Sequence, residues 1–151
     1  MPRLAAIALF ALAMLPDAQA LTIGAHLHTV HFGANANQMQ DRTPGLYLRT
    51  DNGFTLGHYR NSHGHPSTYA GWTWETDNQR FALTAGLVNG YGATPHERRR
   101  LLPLLVPSMR LPLSALEAPG RETWAARIAY VPKPPRIGAA HGLHFTLERK
   151  F

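Results

Sequence analysis

The chain contains no cysteine, which excludes disulfide staples, thiolate nucleophiles and thiolate metal ligands. It also lacks an apolar run long enough for a membrane-spanning helix: the longest, Leu4 to Leu15, has 12 residues, against the roughly 20 such a helix needs. Acidic residues are scarce, 9 against 15 lysines and arginines, so the net charge is +6. A basic excess on an exported chain points to anionic lipid headgroups or lipopolysaccharide phosphates rather than nucleic acid. A solvated basic surface with no partner is the alternative. The nine histidines would raise the charge further in mild acid. There is no internal repeat, and 151 residues make one domain.

What is present begins with a secretion signature. Arg3 precedes the apolar run, and Ala18-Gln19-Ala20 supplies a small-x-small cleavage site, so residues 1–20 are expected to be a signal peptide and 21–151 the mature domain. The other end agrees. Across Gly142 to Phe151, Leu143, Phe145, Leu147 and Phe151 share one face, and His144, Thr146, Glu148 and Lys150 the other. That is the lipid-out, lumen-in rhythm of an outer-membrane barrel strand ending on an aromatic residue. Only Arg149 interrupts the apolar face, near enough to the end to sit at headgroup level.

Eight such segments, separated by turn chemistry, predict an all-β, eight-stranded antiparallel outer-membrane barrel. They are Thr22–His31, Gly45–Thr50, Phe54–Arg60, Tyr69–Glu75, Phe81–Val88, Leu101–Leu113, Trp124–Tyr130 and His141–Phe151. Asp51-Asn52-Gly53 is a tight-hairpin signal between the second and third. Counting back from a periplasmic C-terminus, the longer connections 32–43, 61–68, 89–100 and 131–140 face outward. Trp72, Trp74, Trp124 and Tyr130 are expected on the lipid side, where aromatic girdles anchor without any ligand. Tyr47, Arg49, Tyr69, Thr73, Glu75 and Arg127 are expected in the lumen. Eight strands enclose room for side chains or one small ligand, which argues against a solute channel. Inward charges would then pair across the interior.

Two features stand above lumen packing on residue chemistry alone. Pro103 and Pro107 on the sixth segment face Pro132 at the end of the seventh. Prolines withhold ladder donors, so these strands should be poorly bonded there, opening a lateral doorway for an acyl chain. Prolines lying above the hydrocarbon are the alternative. The loop Pro95-His-Glu-Arg98-Arg99-Arg100 offers three guanidinium groups suited to lipid A phosphates, or else a solvated mobile loop. A metal reading is weaker. His26-x-His28 would share a strand face and His63-x-His65 are near neighbours, but no carboxylate or thiol completes a set.

The order of motifs resembles the outer-membrane lipid A palmitoyltransferase family over most of the mature chain. The first strand carries Ile23-Gly-Ala-His26, the second Thr43-Pro-Gly-Leu-Tyr-Leu48, and the third His58-Tyr-Arg-Asn61-Ser62, followed by Ala70-Gly-Trp-Thr-Trp-Glu75. Leu101-Leu-Pro-Leu-Leu-Val-Pro107, Tyr130-Val-Pro132 and Phe151 are similar to the family's later strands. The resemblance implies a monomeric barrel that moves a phospholipid acyl chain to lipid A in the bacterial outer membrane, with no cofactor or metal. His26 would be the base, Ser62 the activated or orienting hydroxyl, and Asn61 an amide partner where the family has aspartate. The family's N-terminal amphipathic helix has no counterpart, since the first strand starts almost at the cleavage site. Without catalysis, His26 would join a lumen cluster with His28 and His144, and Asn61-Ser62 would be a turn. A lipid A deacylase using Ser62-His63, or a non-catalytic barrel that binds lipopolysaccharide or modifies the surface, are the competing functions.

Overall fold

Strict alternation of polar and apolar residues cannot be satisfied by a sheet with both faces in one environment, and the computed structural model resolves it by closing the sheet on itself. Residues 20–113, 123–133 and 140–151 are described. Most of the expected signal peptide and part of the last expected outward connection, residues 134–139, lie outside them. Eight strands run in chain order: β1 Leu21–Phe32, β2 Arg42–Thr50, β3 Phe54–Arg60, β4 Pro66–Glu75, β5 Phe81–Val88, β6 Leu102–Pro112, β7 Trp124–Val131 and β8 His141–Lys150. Each pairs antiparallel with its neighbour, and β8 returns to β1 to close the barrel. A 3-10 turn, Ala36–Gln38, follows β1, and a one-turn helix α1, Pro95–Arg98, follows β5.

The polarity is inverted relative to a barrel in water. Leu46, Leu56, Trp72, Trp74, Phe81, Leu83, Leu87, Leu105 and Leu143 are exposed on the outside, whereas Thr22, Arg49, Thr73, Arg127, Thr146 and Glu148 are buried inside. Two strands begin earlier than their sequence pattern, β2 at Arg42 and β4 at Pro66. Each added stretch contains a proline, Pro44 in β2 and Pro66 in β4. Pro66 is tolerated as the first residue of its strand, and Pro44 falls in a gap of the β1–β2 ladder, where no donor is needed.

That gap accompanies a bulge. His26 pairs with Thr146 of β8 and His28 with the next residue back, Phe145, leaving Leu27 as the extra residue. The bulge reverses the facing of everything after it: Thr29 is buried and His31 largely enclosed, while His28 is exposed. The expected shared face of His26 and His28 is therefore corrected; one points in and the other out.

Lower in the lumen, glycines and tyrosines alternate across the sheet, with Gly24 opposite Tyr47, Tyr47 opposite Gly57, and Gly57 opposite Tyr69. A Cβ at Gly24 or Gly57 would collide with the ring of Tyr47 or Tyr69. The missing side chains are what let two large rings lie flat inside so narrow a barrel.

Candidate active site

Three chain segments meet at the end of the barrel that carries the connections 33–41, 61–65 and 89–101. The backbone ties them together: Gln40 N–H donates to Ser62 O at 2.8 Å, Thr29 N–H to Asp41 O at 2.8 Å, and Asn89 N–H to Thr68 O at 3.0 Å. Within this frame the His31 ring lies between two partners. Its Nδ1 is 3.1 Å from Asp41 Oδ1 and its Nε2 is 2.7 Å from Ser62 Oγ. The His31 side chain is 5 % exposed and that of Asp41 57 %, so the imidazole is held in the protein while the carboxylate reaches solvent. A carboxylate on one ring nitrogen and a serine hydroxyl on the other is the relay that orients a histidine as a base.

Sequence reasoning named Ser62 but missed His31 and Asp41. Counting by twos from inward His26 places residue 31 outside, and only the bulge at Leu27 turns it in. Asp41 has no signal of its own: it lies in a connection, and its role depends on a ring ten residues away.

Asn61 is fully buried and builds the loop. Its Nδ2 donates to Ser67 Oγ at 2.9 Å and to Gly90 O at 2.8 Å, and its Oδ1 accepts from His63 N–H at 2.9 Å and His65 N–H at 3.1 Å. Both amide donors and the carbonyl are thereby engaged. Asn61 fixes Ser62 in place and holds the loop against the chain beyond β5.

His26 lies in the lumen with a different set of partners. Its Nδ1 is 2.7 Å from His144 Nε2, and its Nε2 is 3.2 Å from Tyr69 Oη. His144 Nδ1 in turn meets Thr29 Oγ1 at 2.7 Å, and Thr29 meets Thr43 at 3.0 Å. The rings of Tyr47, Tyr59 and Tyr69 surround His26 with centroids 5.1 to 5.8 Å away. This is the expected lumen cluster with His144, without His28. Among the described residues no group of three or more histidines and carboxylates is placed to hold a metal.

No protein-family model matches this chain, and no curated protein sequence does. The geometry therefore carries the functional argument.

A cavity of about 140 Å³ runs inward from Ser62, His31 and His63, past His26 and the tyrosines, with Leu104, Val106, Ala129 and Val131 along one wall. Arg49 and Arg127 lie at its far end. They belong to an ion cluster in which Arg127 Nη2 is 2.9 Å from Glu148 Oε1, Arg110 Nε 3.3 Å from the same oxygen, and Arg49 Nη2 3.2 Å from Glu75 and 3.5 Å from Glu148. Tyr47 Oη also donates to Glu148. Beyond the cluster a second, polar cavity of about 450 Å³ opens among Asp51, Glu75, Asp77 and Lys150 at the opposite barrel end.

The wall beside Leu104 and Val106 is incomplete. β6 stays paired with β5 through both prolines, Leu87 opposite Pro103 and Leu83 opposite Pro107. Its pairing with β7 runs only from Ser108 opposite Ala129 to Pro112 opposite Ala125. From Pro107 towards the loop end, β6 and β7 are not laddered, and Pro132 directly follows β7.

The three arginines do not act alike. Arg98 is half-buried, donating to Ala93 O at 2.9 Å with His65 Nε2 at 3.4 Å, and so it ties its loop down. Arg99 and Arg100 are exposed. A capping box between Thr94 and Glu97 fixes the turn that presents them. Backbone and side-chain hydrogen bonds from Thr94 hold the Glu97 carboxyl below the usual range.

Proposed function

We propose that this chain is an exported outer-membrane barrel that moves an acyl chain from a phospholipid to lipid A, using Asp41, His31 and Ser62. The observation that carries the reading is the hydrogen-bonded Asp41–His31–Ser62 relay at the mouth of the lumen cavity. Acyl transfer needs a base for a hydroxyl proton, a polarised hydroxyl and a slot that shelters the acyl group from water. His31 supplies the base, Asp41 orients it and steadies the imidazolium, and the cavity supplies the slot.

The membrane setting is supported by the inverted polarity, with apolar side chains exposed over the exterior and charges buried within. Trp72, Trp74, Trp124 and Tyr130 are then girdle residues. The N-terminal apolar run followed by Ala18-Gln19-Ala20 fits export through the periplasm. The unladdered stretch beyond Pro107 gives a sideways path from the bilayer to Leu104 and Val106. Unpaired backbone there costs least where a substrate or water covers it. Arg99 and Arg100 are the phosphate contacts, with Arg98 holding their loop. His26 supports the lumen and sits deeper, along the acyl path.

The test is mass spectrometry of lipid A from cells expressing wild type, His31→Ala, Ser62→Ala or His26→Ala, each checked for a folded barrel by heat-shifted electrophoretic mobility. An added acyl mass with wild type and His26→Ala, absent with the other two, is expected. A mass gain that survives His31→Ala would remove His31 from the mechanism. The exposure of Asp41 brings water near the relay and favours one further reading, lipid A deacylation, which would appear as a lost acyl mass. Unchanged lipid A in every strain would leave a non-catalytic surface barrel.

A further inference from the structure

We infer that Ser62 is a covalent nucleophile, and that an acyl-Ser62 ester forms as an intermediate so that donor and acceptor lipids use the site in turn. The inference rests on the acyl-transfer reading of this site and goes beyond it, since a base and an orienting hydroxyl could also pass the acyl group directly between two bound lipids.

Three observations favour the covalent route. Ser62 Oγ is 2.7 Å from His31 Nε2, so the nitrogen that would take a proton is already on the serine oxygen and not directed at open space. The opposite ring nitrogen faces Asp41, the partner that stabilises the imidazolium formed when serine loses its proton. Direct transfer would require both lipids at one hydroxyl at once, yet the cavity at Ser62, about 140 Å³, has room only for the carbonyl-proximal carbons of one acyl chain at a time. Taking the lipids in turn removes that conflict.

A tetrahedral intermediate also needs a donor for its oxyanion, and the structure offers one. His63, adjacent to Ser62, lines the same cavity, and its Nε2 is enclosed with no hydrogen-bond partner. Its ring is held edge-on to Tyr91, with centroids 6.0 Å apart. Burial, and then the nearby His65 and His31, lower its pKa. This favours the neutral ring, which can donate from an Nε2–H.

The chemistry balances without a co-reactant. Ser62 Oγ attacks the ester carbonyl carbon of the phospholipid as its proton passes to His31 Nε2. The oxyanion accepts from His63, then collapses; the acyl–oxygen bond to glycerol breaks, and the leaving oxygen takes the proton from His31, giving a lysophospholipid and acyl-Ser62. A lipid A hydroxyl then attacks the acyl-Ser62 carbonyl, giving its proton to His31, and Ser62 recovers that proton as it leaves. Water in place of the hydroxyl releases a fatty acid.

The experiment exposes the folded full barrel in detergent micelles to a fluorophosphonate probe and locates the adduct by peptide mass spectrometry, alongside the lipid A assay on the same variants. Labelling of Ser62 in wild type is expected, with none in Ser62→Ala and at least 100-fold slower labelling in His31→Ala. His63→Phe, which keeps the ring but loses the donor, is expected to label about 100-fold more slowly, and His63→Gln, which retains an N–H, to recover part of the rate. A folded wild type that acylates lipid A while Ser62 stays unlabelled would overturn the intermediate and leave the function standing. Labelled Ser62 with unaltered lipid A would keep the nucleophile and remove the acceptor. Labelling as fast in His31→Ala as in wild type would also overturn the inference.

Discussion

At the scale of single residues, the lesson lies in two neighbours. Ser62 and Asn61 stand side by side, and the resemblance to the lipid A palmitoyltransferase family implies a chemical role for both, with Asn61 where that family has aspartate. Only Ser62 faces the histidine. Asn61 is turned into the protein, where its donors reach Ser67 and the Gly90 carbonyl. That long-range partner has no local signature, and so no reading of the third strand could separate the two. An aspartate at 61 would still accept from His63 and His65, but it would set a carboxylate oxygen against the Gly90 carbonyl and leave buried acceptors unpaired. Asn61→Asp is therefore expected to lose about 3 kcal/mol of folding stability and to reduce acyl transfer by displacing Ser62. Urea unfolding of the variant in lipid vesicles measures this; a variant as stable as wild type would mean that the loop repacks and Asn61 is not its anchor.

At the scale of elements, the strands were legible because a half-buried strand leaves a period of two in the sequence, and all eight segments form strands close to their expected limits. What periodicity cannot register is an extra residue inside a strand. Leu27 is apolar and exposed and fits the pattern locally, but its presence turns His31 inward and His28 outward. The prolines of β6 were legible for the opposite reason, since a missing donor is a property of the residue itself. The ladder between β6 and β7 ends at Ser108 opposite Ala129, next to Pro107. A cysteine-free chain makes the doorway simple to test. Pro107→Cys with Tyr130→Cys places a pair at the next register position, where both side chains face outward. Oxidation is expected to staple the opening and suppress acyl transfer several-fold, with reductant restoring it. Transfer undiminished by a verified disulfide would move lipid access elsewhere.

At the scale of the whole molecule, inside-out polarity was readable from the strands, and with it the expectation that inward charges would pair. Arg49, Glu75, Arg127 and Glu148 were expected to pair across the interior, and they do; that Arg110 joins them was not legible, because partners on β2, β4, β6, β7 and β8 meet only once the barrel closes. Glu148 is at the centre of that closure: 2 % exposed as a side chain, it is approached by Arg49, Arg110 and Arg127 and accepts from Tyr47. The cluster lies between the apolar cavity and the polar one at the opposite end, so it is both the floor of the proposed acyl slot and a plug. Removing one member of a buried ionic set costs more than the set contributes net, because the others stay buried with too few counter-charges. In Glu148→Gln, Arg49 and Arg127 would be left sharing Glu75, which is itself partly exposed, and Arg110 would lose its contact with Glu148. The expected loss is about 3–5 kcal/mol in urea unfolding from vesicles. Combining it with Arg127→Met, which removes the arginine bonded to Glu148 through both Nε and Nη2, should recover part of that loss. A double variant as unstable as the sum of the singles would show that Arg127 and Glu148 act independently, and that the floor is held by the tyrosine and glycine rows above it instead.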